Sequence, residues 1–138
     1  MIAYVDSSVL LRLALGQSNA LTEWRQIERG VSSALISTES LRTLDRARIR
    51  AKLTDIEIAN RRATILNLIS SLELIEVDST VLDRAALPMP TELGTLDAIH
   101  LASALLWKDA MSIDPVMATH DGALGLAAQA HGLKVIGA

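Results

Sequence analysis

The sequence predicts an α/β fold, a three-layer α/β/α sandwich around a mostly parallel five-stranded sheet. Five short apolar runs, at residues 2–5, 33–36, 74–77, 116–119 and 134–136, alternate with segments of helical periodicity. Parallel strands need long crossover connections, and a sheet covered by helices on both faces takes strands that are apolar throughout. In addition, Asp6, Glu39, Asp97 and Asp121 each stand where an apolar run hands over to a helix-type pattern, which is where a parallel sheet collects its active site.

The elements follow in order. The first strand passes at Asp6 into a helix over 8–15 that Gly16 stops, and a second helix is expected over 20–29 before Gly30. After the 33–36 strand comes a helical pair over 38–52 and 55–72, with Thr54 as the cap between them. The 74–77 strand leads to a helix over 79–86. Pro88, Pro90 and Gly94 make 87–95 an ordered turn or loop before a helix over 96–109. Asp114 and Pro115 open the 116–119 strand, a last helix runs to about His131 where Gly132 ends it, and 134–136 closes the sheet.

The 138 residues fit one domain, 1–138, with no repeat or interdomain linker. Half the residues are hydrophobic, yet the longest apolar stretch, 98–107, is interrupted by His100 and Ser103 and falls short of the ~20 residues of a membrane helix. A soluble protein with no membrane partner is expected. The N-terminus has no basic region before Asp6, so no signal peptide is read there, and the absence of cysteine removes disulfides and thiolate metal sites. A cytoplasmic location follows. So apolar a chain leaves greasy surface to cover, which favours a homodimer or another partner.

The net charge of −3 argues against a general nucleic-acid coat protein, although seven of the 13 basic residues lie between positions 42 and 62. Arg42, Arg46 and Arg50 repeat at helical spacing and form one stripe leading away from Glu39. Its default reading is a solvated face, and its other reading is contact with RNA phosphates or a protein partner. Tyr4, Trp24 and Trp107 are too few aromatics for a base-stacking platform, and the two tryptophans suit core or interface positions.

Each acid has a local explanation. Asp6 and Asp121 suit N-caps, and Glu39 and Asp97 suit first helical turns. Their convergence on one sheet edge is another matter, because two carboxylates ~4 Å apart repel by about 4 kcal/mol at an effective dielectric of 20. Such a cluster needs a cation or protons, and oxygen-only ligands select Mg²⁺ or Mn²⁺ over Zn²⁺. A magnesium ion held this way suits phosphodiester hydrolysis. Ser7 and Thr119, beside the acids, are supporting hydroxyls for ligands, waters or phosphate, or else plain capping groups. His100, three residues after Asp97, reads as a packed, hydrogen-bonded structural histidine that could also touch the acids. His120 in a strand faces away from Asp121, and His131 suits a helix C-terminus; the three form no metal triad.

The words MIAYVDSSVLLRLAL, ISTESLRTLDRAR, LGTLDAIHLASAL and ATHDGALGLAAQAHGLKVIGA together resemble, in order and spacing over nearly the whole chain, the PIN-domain ribonucleases, and closely the VapC toxins of bacterial toxin–antitoxin pairs. The resemblance implies a PIN-like fold and a Mg²⁺- or Mn²⁺-dependent endoribonuclease. In it Asp6, Glu39, Asp97 and Asp121 match the acidic quartet, catalytic and metal-binding, and Thr119 matches the Ser/Thr before the last acid. It also implies an RNA substrate and a small VapB-type antitoxin covering the acidic groove. Among rivals, a haloacid-dehalogenase-type phosphatase needs a second Asp where Ser8 stands, and a response-regulator receiver needs paired early acids that are missing. The non-enzymatic alternative is a PIN-like RNA- or protein-binding module.

Overall fold

The computed structural model describes residues 1–138. In chain order its elements are β1 (Ile2–Val5), α1 (Ser7–Ala14), a 3-10 turn (Thr22–Gln26), β2 (Arg29–Ser33), α2 (Leu35–Arg50), α3 (Asp55–Ser70), β3 (Leu72–Ile75), α4 (Ser79–Ala85), α5 (Thr95–Met111), β4 (Val116–Ala118), α6 (Gly122–Ala130) and β5 (Val135–Ile136). The strands form one sheet in the order β3-β2-β1-β4-β5, every neighbouring pair parallel. The expected α/β fold is therefore present.

The pleat of β1 sorts the core into two layers. Ala3 and Val5 pack with Val9 and Leu10 of α1, Ile36 and Leu44 of α2, and Ile65 and Ile69 of α3. Tyr4, between them, points the other way, among Val31, Met117, Leu101 and Ala104 of α5, and Leu124 and Ala127 of α6. Val81 of α4 joins Ile99 and Ala102 at the edge of that second layer. Because the chain winds outward from β1 in both directions, the strand order reverses beside it, and a crevice opens at the carboxyl ends of β1 and β4.

Several boundaries differ from expectation for packing reasons. β2 is Arg29–Ser33 rather than 33–36. Gly30, which looks like a breaker, belongs inside the strand because a Cβ there would stand 2.5 Å from Leu72 Cδ2. The two residues are register partners, which also places β3 at Leu72–Ile75 instead of 74–77. The helix expected over 20–29 shrinks to the Thr22–Gln26 turn, since the Glu28 and Arg29 amides donate to the Met1 carbonyl and start the β1–β2 pairing. Helix α2 begins at Leu35 instead of residue 38, with the Leu35 amide donating to Ser33 Oγ at 3.1 Å. Thr54 caps α3 as expected, in a reciprocal box with Glu57. No helix is long and apolar enough to cross a membrane.

Candidate active site

The four acids arrive from four directions. Asp6 follows β1 directly and is 2% exposed. Asp121 follows β4 by two residues and N-caps α6, its Oδ1 accepting the Ala123 and Leu124 amides at 2.8 and 3.1 Å. Asp97 lies in the first turn of α5, and Glu39, because α2 starts early, stands in the second turn of that helix rather than the first. One histidine ties the helices together: His100 Nε2 bonds the Glu39 carboxylate and lies 3.7 Å from Asp6 Oδ1.

Asp6 is braced by hydroxyls. Its Oδ2 accepts from Ser8 Oγ at 2.7 Å and from Thr119 Oγ1 at 2.9 Å, while Ser7 Oγ reaches Oδ1 only at 3.4 Å. Ser8 Oγ in turn accepts the His120 amide at 2.9 Å, and Thr119 Oγ1 accepts the Asp121 amide at 3.0 Å. These bonds stitch the ends of β1 and β4 together across the crevice. Ser8, not Ser7, is thus the main supporting serine; an acid followed by two serines left the choice open until α1 set which hydroxyl turns back.

Electrostatics report the crowding. Burial, then the charges of Asp121 and Asp6, raise the Asp97 carboxyl to about 6; Glu39 adds to this and His100 opposes it. Asp97 accepts no hydrogen bond from the protein, so both of its oxygens are uncommitted. His100 is fully buried, and burial works against its charge. The hydrogen bond to Glu39 and the charges of Asp6, Glu39 and Asp97 outweigh that and lift it above the ordinary histidine range. None of the five main surface hollows is lined by a quartet acid. The acids stand outside those hollows, beside the carboxyl ends of β1 and β4.

Comparison with known proteins identifies the family. The profile of the PIN domain matches residues 3–136. This chain belongs to the PIN-domain family. Its relatives include Ribonuclease VapC46 of Mycobacterium tuberculosis (strain ATCC 25618 / H37Rv), 38% identical, with 96% of this chain and 95% of that protein covered. Ribonuclease VapC35 of the same species (strain CDC 1551 / Oshkosh) is 33% identical over 96% of this chain and 94% of its own length. The kinship therefore extends to the VapC proteins. Among solved structures, a toxin–antitoxin complex from Klebsiella pneumoniae shares the fold, with a TM-score of 0.61 over 86% of each chain at 19% identity.

The donor set of this PIN domain fits a hard divalent ion. It consists of carboxylate oxygens only, and burial with the neighbouring charges raises the Asp97 carboxyl to about 6, a penalty on its charge that a cation would relieve. No three of these side chains form a ready-made cage. Waters would complete the shell, as is usual for Mg²⁺. Asp6, Asp97, Asp121 and Glu39 are the residues that would hold it.

The arginine stripe is exposed on α2. Arg42 is drawn into an ion pair with Asp45 at 3.2 Å, and Arg46 makes only a bond to Thr43 Oγ1. Arg46 and Arg50 flank a shallow hollow of about 390 Å³ and form no ion pair with the protein. His120 turns from Asp121 and bonds the Gly137 carbonyl through Nδ1, and His131 C-caps α6 as expected. Trp107 is core: its Nε1 donates to Glu73 at 3.2 Å and Arg29 stacks over its ring. Trp24 packs against the β1 side of the core.

Proposed function

We propose that this PIN domain is a metal-dependent endoribonuclease, a VapC-type toxin acting in the cytoplasm and neutralised by a VapB-type antitoxin. The observation that carries the reading is the meeting of four carboxylates at the switch point of the sheet, with Asp97 driven to about 6 by burial and its neighbours. Kinship with proteins named Ribonuclease VapC supports the RNA substrate. Asp6, Asp97 and Asp121, with Glu39, would hold Mg²⁺ or Mn²⁺, which when bound supplies Lewis-acid stabilisation of phosphate charge and an acidified water. The chain's own part is positional. Ser8 and Thr119 hold Asp6, backbone amides hold Asp121, and Asp97 is left near the other acids without a protein hydrogen bond. Arg46 and Arg50 offer phosphate contacts beyond the acids.

Cleavage of RNA by Asp6→Asn and Asp97→Asn tests this. At Asp6 an Asn keeps one carbonyl oxygen for the two hydroxyl donors, and at Asp97 no bond is lost, so both variants should fold. Loss of several kcal/mol of Lewis-acid stabilisation predicts a fall of roughly 100-fold or more, and EDTA should abolish wild-type cleavage. Undiminished cleavage in EDTA, or by Asp97→Asn, would overturn the metal mechanism, and a wild type that cleaves no RNA with Mg²⁺ or Mn²⁺ present would favour the non-catalytic binding module.

A further inference from the structure

Asp6 and Asp121 are held by several hydrogen bonds each, but Glu39 has a single protein partner. Its side chain reaches from the second turn of α2 through three rotatable bonds, and the imidazole of His100 is what it meets. His100 cannot swing away. It is fully buried within α5, its Nδ1 lies 2.7 Å from the hydroxyl of fully buried Tyr4, and the two rings meet edge to face at 5.8 Å and 77°. Tyr4 belongs to β1, the central strand, between the two core layers. A chain of contacts therefore runs from the middle of the sheet, through Tyr4 and His100, to the Glu39 carboxylate.

We propose that His100, backed by Tyr4, is a positioning residue that orients the Glu39 carboxylate and thereby sets divalent-ion affinity at the groove. The proposal rests on the metal-dependent reading. Partners that orient a ligating or near-ligating side chain are worth about 10- to 100-fold in metal affinity. Burial makes His100 a difficult residue to change, so the series includes gentler steps. His100→Gln keeps an N–H near Nε2, and Tyr4→Phe removes only the hydroxyl.

The measurement is Mn²⁺ affinity of the full chain by calorimetry, with thermal unfolding as a control for folding. His100→Ala should weaken Mn²⁺ binding about tenfold, Tyr4→Phe less, and His100→Gln should recover most of the loss. In a Glu39→Gln background the same His100→Ala change should alter affinity less than twofold, because the carboxylate it orients is gone. Equal losses in both backgrounds would overturn the proposal and make His100 a packing residue only. So would a folded Tyr4→Phe and a folded His100→Ala that both bind Mn²⁺ like wild type. A wild-type chain that binds no Mn²⁺ at all would instead overturn the metal reading, and this inference with it.

Discussion

Asp97→Asn should make the metal-free protein more stable, although it destroys the proposed function. Burial and the charges of Asp121 and Asp6 raise the Asp97 carboxyl from 3.8 to about 6 in the folded chain. Unscreened, that would cost about 3 kcal/mol at neutral pH. The side chain is only partly buried, so solvent screening brings the cost to about 1.5 kcal/mol. Against this, a charged residue in the first turn of α5 gains about 0.5 kcal/mol from the helix dipole. The net gain from Asn is about 1 kcal/mol, or a Tm higher by about 3 °C.

The sign depends on pH. A carboxyl whose folded pKa is raised carries no penalty below about pH 4, where both states are protonated. The penalty grows between about 4 and 6, where the unfolded chain ionises and the folded one resists, and stays constant above. Thermal unfolding of both proteins in EDTA should therefore show near-equal Tm at pH 4 and a gap favouring Asn at pH 7.5. Adding Mg²⁺ at pH 7.5 should raise the wild type alone. An Asn variant less stable than apo wild type at pH 7.5, or a gap unchanged between the two pH values, would refute the argument that Asp97 is held against its neighbours' charge.

Other outcomes follow from the same geometry. If Arg46 and Arg50 contact RNA phosphates, changing both to Ala should weaken RNA binding and flatten its log–log salt dependence by about 1.4, twice the single-strand value per contact; an unchanged slope would leave them as a solvated face. Antitoxin binding should weaken as Mg²⁺ rises to millimolar levels if the antitoxin places an Arg among the four acids, since a guanidinium and the ion would compete for the same oxygens. Calorimetry with each antitoxin Arg changed to Ala checks this, and indifference to metal and to every Arg would point to steric cover. The exposed Leu82, Leu87 and Leu96 around the α4–α5 connection leave an apolar surface that a homodimer would cover. Sedimentation at micromolar concentration should give twice the chain mass, and Leu96→Glu should return it to monomer.

The amino-acid sequence alone determined the fold class and pointed to the candidate acids, because both are written in local signals: apolar runs too short for anything but buried strands, and acidic residues near the starts of helices. Asp6 and Asp121 were legible as candidates since one directly follows β1 and the other follows β4 after two residues, at the same edge of the sheet. The Thr54 cap and the proline-rich 87–95 connection were legible for the same reason, as their chemistry lies within a few residues. What required tertiary structure is everything set by a distant partner. Gly30 became part of a strand because Leu72 fills the space beside it. Strand β2 then ended earlier, α2 started at Leu35, and Glu39 moved into the second turn where His100 could meet it. Ser8 won over Ser7 through Thr119 and the His120 amide, contacts spanning more than a hundred residues. His100 itself looked like one core histidine on an apolar helix. Only the packing of α5 against β1 and α2 brings a buried imidazole between Tyr4 and Glu39, and no spacing along the chain can encode which groups a buried ring will find on two other elements.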